Sequence, residues 1–282
     1  MLTKDRATRL KYFAKHPDQL VRNVIWRLPR TRSSQNHIFV VGAPRSGTTL
    51  VKLILSVHPN LKGPGYETGI FMYKNIFDFK FTGFTQEELD QIIHQSNDIV
   101  QFFDSFATAN LQKLGGTRFV EKTPPHVLKL DFLLNSFPNA QVVNIYRDGR
   151  DCYCSAQHHP NVVQGRSVKR YAHYWKKCVQ TRFNIGTHNR VFDIKYEDLT
   201  DNPSFHVEKI MEFLGEEYDP RQIDPNYYSQ NKSINSKKAY LQKLAQPIKT
   251  ASQGRWKTEL SPEDMEQFHQ IAGEELKVLQ YL

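Results

Sequence analysis

The residues best suited to chemistry lie in a short loop, Gly42 to Gly47, between an apolar run and a helical pattern. Its sequence is Gly-Ala-Pro-Arg-Ser-Gly, followed by Thr48 and Thr49. A glycine-bounded loop between a strand and a helix directs backbone N–H groups and the helix N-terminus at a phosphate. The G-x4-G spacing is that of a P-loop, but Thr48 stands where that motif has lysine. The sequence therefore predicts an anion site that differs from the site of P-loop NTPases.

The positive charge of this loop comes from Arg45 instead. A planar guanidinium suits a pair of anionic oxygens, and N–H groups and hydroxyls are added by Ser46, Gly47, Thr48 and Thr49. A P-loop NTPase also needs a strand-end aspartate for magnesium, and no apolar run of this sequence simply ends in Asp. The loop thus favours a 5′-phosphate that bears one further anionic group and is held without a metal ion.

A second candidate anion site follows the apolar run 141–146. Arg147 stands at the carboxyl end of that run, where open α/β sheets bind their ligands, and Ser155 follows about two helical turns later. A ligand with phosphates at both ends of a nucleoside would use this site and the loop together. The alternative for Arg147 alone is a surface arginine at the end of a strand.

Strands that alternate with helices must position these residues. Runs rich in apolar and β-branched residues predict strands at 38–41, 141–146 and 190–195, and Arg-Phe-Val-Glu-Lys at 118–122 also resembles a buried strand. The pattern predicts an α/β fold, a single P-loop-type domain with a central parallel sheet flanked by helices on both faces. Because no Pro/Gly/Ser-rich linker divides the chain, we expect one domain over 37–282, preceded by an N-terminal helical extension over 1–36.

Composition and charge narrow the class of partner. The 282 residues are 39% hydrophobic and 24% charged, with a formal net charge of +9. This mild basic excess is compatible with nucleic acid, an acidic polymer or a small polyanionic cofactor. The two anion sites favour the cofactor, so we expect no nucleic-acid partner. The basic N-terminal segment could pack on the domain or contact a membrane or a partner.

The sequence also predicts the cellular compartment in which the protein works. No run reaches the roughly 18 apolar residues of a membrane span, and the N-terminus lacks the apolar core of a secretory signal. Cys152, Cys154 and Cys178 cannot all pair and lack zinc spacing. We therefore expect reduced thiols in a cytoplasmic protein without a metal site.

Two motifs together resemble the sulfotransferase family, whose members use 3′-phosphoadenosine 5′-phosphosulfate. Pro-Arg-Ser-Gly-Thr-Thr at 44–49 resembles the family's 5′-phosphosulfate loop. Tyr-Arg-Asp-Gly-Arg-Asp-Cys-Tyr-Cys-Ser at 146–155 resembles the segment whose Arg and Ser, here Arg147 and Ser155, bind the 3′-phosphate. Order and spacing match, and the resemblance extends from about residue 37 to the C-terminus. It implies transfer of a sulfonate from that cofactor to an acceptor hydroxyl or amine.

The resemblance implies catalytic roles for three residues. Glu67 stands where tyrosylprotein and related sulfotransferases carry a general base, and Lys122 matches a lysine near the transferring sulfonate. Arg45 and Lys122 would stabilise the charge that develops during transfer. Glu121, beside Lys122, is the alternative base or the ion-pair partner of that lysine.

Three further positions match cofactor contacts of the family. Tyr196 matches a residue that contacts the adenosine diphosphate part of the cofactor, and its alternative role is to cap a strand. Arg255 lies in a Gly-Arg-Trp sequence that resembles the C-terminal stretch closing over the 3′-phosphate, and Ser252 is a weaker candidate nearby.

Departures from the family's cytosolic small-molecule branch bear on the acceptor. That branch typically has Lys at the Arg45 position, a catalytic His and a C-terminal Arg-Lys-Gly. The present residues favour acceptors such as a carbohydrate or a protein tyrosine, with a small molecule still open. The aromatic stretch 71–84 could line the acceptor pocket or pack in the core. The competing functions are a P-loop nucleotide kinase or NTPase and a non-catalytic nucleotide-binding module.

Overall fold

A five-stranded parallel sheet forms the centre of the computed structural model, which describes residues 14–15, 17–28, 30–72, 80–228, 248 and 252–282. In chain order the strands are β1 (Ile38–Gly42), β2 (Leu61–Lys62), β3 (Arg118–Lys122), β4 (Gln141–Tyr146) and β5 (Val191–Lys195). The spatial order is β2-β3-β1-β4-β5, and all pairings are parallel. The predicted strands are therefore present, and β2 ends five residues before Glu67.

Helices connect the strands, as a parallel sheet requires. Before β3 these are α1 (Pro17–Trp26), α2 (Thr48–Val57), α3 (Gln86–Gln95) and α4 (Ile99–Leu114). Between β3 and β5 they are α5 (Leu130–Ser136), α6 (Gly149–Ala156) and α7 (Val168–Ile185). After β5 they are α8 (Tyr196–Asp201), α9 (Pro203–Leu214), α10 (Pro225–Tyr228), α11 (Trp256–Glu259) and α12 (Pro262–Val278).

The two faces of the sheet are buried against different helices. Alternate residues of β1 point to opposite faces, so Val40 packs with α2 and α9 while Phe39 packs with α4 and α5. The Phe39 ring lies 5.4 Å from the ring of Phe103 on α4. Burial on both faces explains why β1 is a continuous apolar run. The predicted α/β architecture with helices on both faces is confirmed.

The aromatic stretch 71–84 contributes to the core at both of its described ends. Phe71 lies 5.1 Å from Phe103, and the buried Phe81 lies 4.6 Å from Phe106, both measured between ring centroids. Residues 73–79 lie outside the described residues. For the described ends, packing in the core is thus the role that the contacts show.

The segment before β1 is fastened to the start of α4. Asp98 accepts hydrogen bonds from the N–H groups of Arg30 and Thr31, both at 2.9 Å, and caps α4 through the N–H of Val100. On α1, Trp26 is buried and contacts Phe102. In the described ranges no helix is both long and apolar enough to cross a membrane. The division of the chain at residue 36 stays a prediction.

A buried arginine joins the amino ends of the strands. Arg118 at the start of β3 donates to the carbonyls of Asn36 (3.2 Å) and Leu214 (2.6 Å). It also donates to the side chains of Glu216 (3.1 Å) and Gln141 (2.7 Å). These contacts connect β1, β3, β4 and the end of α9 at the edge opposite the loop 42–47.

Replacing Arg118 by methionine should lower the free energy of unfolding by about 3–5 kcal/mol, because Glu216 would keep a nearly buried charge without its guanidinium. Urea unfolding followed by circular dichroism measures this change. The matched control is Lys209→Met, which breaks an exposed pair with Glu212 and should cost at most about 1 kcal/mol. Equal losses in the two variants would contradict the structural role of Arg118.

Candidate active site

The loop after β1 has the backbone of an anion-binding turn. Arg45 has a φ of 74° and Gly47 a φ of 107°, both in the left-handed region that side chains disfavour. A Cβ on Gly47 would lie 2.5 Å from the ring of Tyr196, so only glycine fits there. The Tyr171 hydroxyl donates to the carbonyl of Pro44, which fixes the loop to α7.

Within this loop, Ser46 has an unused hydroxyl. Its Oγ is buried and has no hydrogen-bond partner among the described residues. The neighbouring helix α2 begins at Thr48, and the first N–H groups of a helix have no partner within it. A buried hydroxyl beside free N–H groups and the positive end of a helix dipole fits an anionic group. Thr48 and the half-buried Thr49 stand in the same first turn.

The second predicted anion site contacts the first directly. Arg147 is buried at the end of β4 and donates to the carbonyls of Arg45 (3.2 Å) and Ser252 (2.5 Å). Its guanidinium lies 4.3 Å from the ring centroid of Tyr196, and its Nε is buried without a partner in the described part of the chain. The Arg45 side chain in turn donates to Ser155 Oγ at 3.1 Å. The structure thus brings both arginines and both serines of the two motifs together.

Glu67 and Lys122 form an ion pair at the same edge of the sheet. Lys122 is the last residue of β3, and its Nζ lies 2.7 Å from Glu67 Oε1. The lysine side chain is 8% exposed and the glutamate side chain 50% exposed. A carboxylate accessible to solvent thus stands one hydrogen bond away from a nearly buried cation. A proton acceptor and a positive charge can therefore act on the same bound group.

Glu121 does not lie where a general base or an ion-pair partner of Lys122 would lie. It is fully buried, and its carboxylate accepts hydrogen bonds from Thr68 Oγ1 (2.8 Å), Thr123 Oγ1 (2.6 Å) and His126 Nδ1 (2.9 Å). Burial disfavours the charge, but His126 and the hydroxyls outweigh it and lower the pKa of Glu121. An ionised carboxylate with this many donors and no access to solvent cannot reach an acceptor.

The contacts of Glu121 nonetheless serve the ion pair. Its two hydroxyl partners, Thr68 and Thr123, directly follow Glu67 and Lys122 in the chain. The N–H of Gly69 also donates to Thr123 Oγ1 at 3.0 Å. Glu121 therefore holds the segment that carries Glu67 against the end of β3.

Lys52 holds the same segment from the other side. It is buried on α2, and its Nζ donates to the carbonyls of Pro64 (2.6 Å) and Gly63 (3.3 Å). Burial and then the charge of Lys122 lower the pKa of Lys52 to about 7. No sequence pattern marks this residue, because its burial depends on the fold alone.

Tyr174 is a further residue that no motif indicates. It lies on α7, and burial, then Cys178 and then the charge of Glu67 raise its pKa. Burial is the first of these causes, so the phenol of Tyr174 stays protonated at neutral pH.

The C-terminal segment approaches the site through Ser252 but not through the Arg255 side chain. Arg255 forms a two-pronged pair with Glu259, with contacts of 2.7 and 2.8 Å. Asp151 on α6 accepts from the N–H groups of Gly254 (2.7 Å) and Trp256 (3.1 Å) and so holds the segment in place. The predicted contact of Arg255 with a phosphate stays a prediction.

Comparison with known proteins identifies the chain. A sulfotransferase family model matches residues 37–220, about two thirds of the sequence. The chain belongs to the sulfotransferase family. The matched range includes both anion-binding motifs, Glu67, Lys122 and Tyr196, whereas Ser252 and Arg255 lie beyond it.

Similar curated proteins include protein-tyrosine sulfotransferases. Protein-tyrosine sulfotransferase 2 of Gallus gallus is 28% identical over 189 residues, which cover 63% of this chain and 50% of that protein. The Drosophila melanogaster enzyme is 26% identical over 63% of this chain and 37% of its own length. An uncharacterized Aquifex aeolicus protein is 22% identical over 81% of this chain and 31% of its length. The chain spans half or less of these relatives.

Solved structures share the fold of this chain at low identity. The sulfotransferase domain of the Synechococcus PCC 7002 olefin synthase has a TM-score of 0.62 and 18% identity, covering 88% of this chain and 98% of that one. Mouse sulfotransferase SULT7A1, complexed with PAP, has a TM-score of 0.53 and 15% identity, covering 90% of this chain and 89% of that one. These likenesses support the α/β architecture.

Lys52 should make the stability of this chain depend on pH. The pKa of Lys52 is about 7 in the folded state, whereas the ordinary value of a lysine, expected in the unfolded state, is 10.5. Between these two pH values the native state therefore binds fewer protons than the unfolded state. The free energy of unfolding therefore rises with pH across this window, and below the window this contribution of Lys52 is absent. From about pH 7 to about pH 8.5 the gain from Lys52 should be roughly 1.5 kcal/mol.

Urea unfolding of the wild type and of Lys52→Met at the two pH values measures this contribution. The wild type should gain stability relative to the variant by that amount. Lys113→Met, which removes an exposed lysine, should keep the wild-type dependence. Parallel pH profiles for wild type and Lys52→Met would show that Lys52 keeps its ordinary pKa.

Proposed function

We propose that this chain transfers a sulfonate group from 3′-phosphoadenosine 5′-phosphosulfate to an acceptor hydroxyl or amine. The observation that carries the proposal is the contact between the two motifs, in which Arg45 bonds Ser155 and Arg147 bonds the Arg45 carbonyl. A nucleotide with anionic groups at its 5′ and 3′ ends needs two cationic sites side by side. The buried Ser46 Oγ and Arg147 Nε, which have no partner within the described ranges, fit such a ligand.

The residues divide between the two ends of the cofactor. The 5′-phosphosulfate would bind the loop and the start of α2, through Arg45, Ser46, Gly47, Thr48 and Thr49. The 3′-phosphate would bind Arg147 and Ser155, with Ser252 and Arg255 closing from the C-terminal segment. Tyr196 would contact the adenosine diphosphate part, since its ring packs on both Gly47 and Arg147.

The cofactor supplies an activated sulfonate whose leaving group is a phosphate oxygen. Glu67 would accept the proton of the acceptor hydroxyl as the acceptor oxygen bonds to sulfur and the sulfur–oxygen bond to the phosphate breaks. Lys122 and Arg45 would stabilise the negative charge on the sulfonate and on the departing oxygen. The 2.7 Å Glu67–Lys122 contact supports this assignment, because it places the base beside the cation. These residues require no metal ion for their roles.

The acceptor that we favour is a tyrosyl side chain of a protein, with a carbohydrate or a small molecule as the alternatives. Similarity to protein-tyrosine sulfotransferases supports this choice. Next to Glu67, the half-buried Tyr66 stacks on the core residue Phe81, with centroids 6.1 Å apart and planes 12° apart. A tyrosine ring held beside the base favours an acceptor with a flat or apolar face.

We further propose that the protein works in the cytoplasm. Cys152, Cys154 and Cys178 are all free and buried in the structure. Unpaired thiols persist in a reducing compartment.

Binding of 3′,5′-adenosine bisphosphate in EDTA should raise the melting temperature of the wild type, because a ligand stabilises the state that binds it. Arg147→Ala should lose most of this shift, since it removes the proposed 3′-phosphate contact. Lys169→Ala, an exposed lysine on α7, should keep it. A shift produced by ATP and Mg²⁺ but not by the bisphosphate would favour the kinase or NTPase alternative.

Glu67→Gln should reduce sulfonate transfer at least about 100-fold, as expected for the loss of a general base. The measurement is transfer of radiolabel from the cofactor to a panel of tyrosine-containing peptides and glycans. The bisphosphate-induced shift in melting temperature should stay at the wild-type value. Wild-type turnover in Glu67→Gln would rule out its role as base, and saturable cofactor binding without transfer to any acceptor would favour a non-catalytic binding module.

Glu121→Gln tests whether Glu121 positions the ion pair. Loss of the buried charge weakens the bonds to His126 and the two threonines, so transfer should fall about tenfold or more. The bisphosphate-induced shift should persist, because the two arginine sites are separate from this cluster. Wild-type turnover in a folded Glu121→Gln would show that the cluster serves stability only.

A further inference from the structure

An apolar stripe on α1 faces solvent. The helix already buries one side, since Asn23 and Trp26 are 3% and 2% exposed. The opposite side and the turn that follows carry four exposed aliphatic residues at helical spacing: Val21 (58%), Val24 (55%), Ile25 (42%) and Leu28 (67%). Amphipathic helices of globular domains normally turn such a stripe to the core. Here packing on the domain uses the other side and leaves the stripe outside.

The net charge of the chain is concentrated around the same segment. The first 32 residues of the sequence contain nine lysines and arginines and two aspartates, a net charge of +7 out of the chain's +9. The 250 residues that follow are nearly neutral. Exposed basic residues stand on both sides of the stripe, Lys15 before it and Arg30 and Arg32 after it.

This surface has a fixed position away from the candidate active site. Its end is held by the bonds of Arg30 and Thr31 to Asp98. The chain then runs along the amino ends of the strands, where the carbonyl of His37 accepts from the N–H of Gln141 at 2.9 Å. The residues of the site lie at the carboxyl ends. A partner bound to α1 would therefore leave the entrance to the site open.

We propose that this surface, formed by the described residues between 14 and 32, binds membranes that contain anionic lipids. The aliphatic stripe would enter the headgroup region while the basic side chains contact lipid phosphates and carboxylates. Charge selects this partner over a second copy of the chain, because two copies would bring two strongly basic segments together. Nucleic acid would use the charges but not the aliphatic stripe. The inference does not depend on sulfonate transfer.

Co-sedimentation of the full chain with vesicles tests the proposal. At about 0.1 M salt the protein should bind vesicles of phosphatidylcholine with phosphatidylserine and bind pure phosphatidylcholine much more weakly. High salt should release it, because the charges are exposed. Val24→Gln/Leu28→Gln should weaken partitioning at least about tenfold through lost apolar burial. Arg30→Gln/Arg32→Gln should weaken it roughly tenfold or more, since each surface charge contributes about 1 kcal/mol.

Matched controls separate this surface from general effects. Lys169→Gln/Arg170→Gln removes an exposed basic pair on α7, and Phe205→Gln removes an exposed apolar residue on α9. Both should bind anionic vesicles like the wild type, and all variants should keep the wild-type unfolding midpoint. Three results would overturn the proposal: no vesicle binding, equal binding to neutral and anionic vesicles, or a concentration-dependent dimer that Val24→Gln/Leu28→Gln abolishes.

Discussion

The buried guanidinium of Arg147 is the interaction on which the arrangement of the site depends. It joins the loop after β1, the C-terminal segment and the ring of Tyr196. Arginine can do this because its fork of N–H groups makes several bonds in fixed directions while its flat face stacks on an aromatic ring. The sulfotransferase fold brings these segments to one edge, and Arg147 sets their relative positions there.

Two buried ionisable residues support the ion pair of Glu67 and Lys122. Glu121 and Lys52 are both buried, and each bonds the segment that leads to or follows Glu67. Burying charges in this way is costly unless hydrogen bonds compensate. For Glu121 the hydroxyls and His126 keep the pKa low, whereas the two backbone carbonyls offset the burial of Lys52 only in part, since its pKa falls to about 7. Both residues fix the segment that carries Glu67 and so the geometry of the accessible pair.

The fold and the identity of the anion motifs could be predicted because they are local in sequence. The apolar residues of β1 and β4 indicate burial on both faces, and the position of Arg147 after β4 indicates the edge of the sheet at which it lies. The roles of Glu121 and Lys52 could not, since their partners are set by tertiary contacts. Arg255 shows the same limit: its partner Glu259 is one helical turn away, and no motif distinguishes that pairing from a phosphate contact.

The two carbonyl contacts of Arg147 have a consequence for how ligand exchange would proceed. The same side chain bonds the backbone at Arg45 and at Ser252. The position of the C-terminal segment and the affinity of Arg147 for a ligand would therefore be energetically coupled. Linkage of this kind is reciprocal. Any change that loosens the segment around Ser252 would weaken a ligand on Arg147 by the same factor by which that ligand tightens the segment. Departure of a bound nucleotide and loosening of the segment around Ser252 would then be coupled.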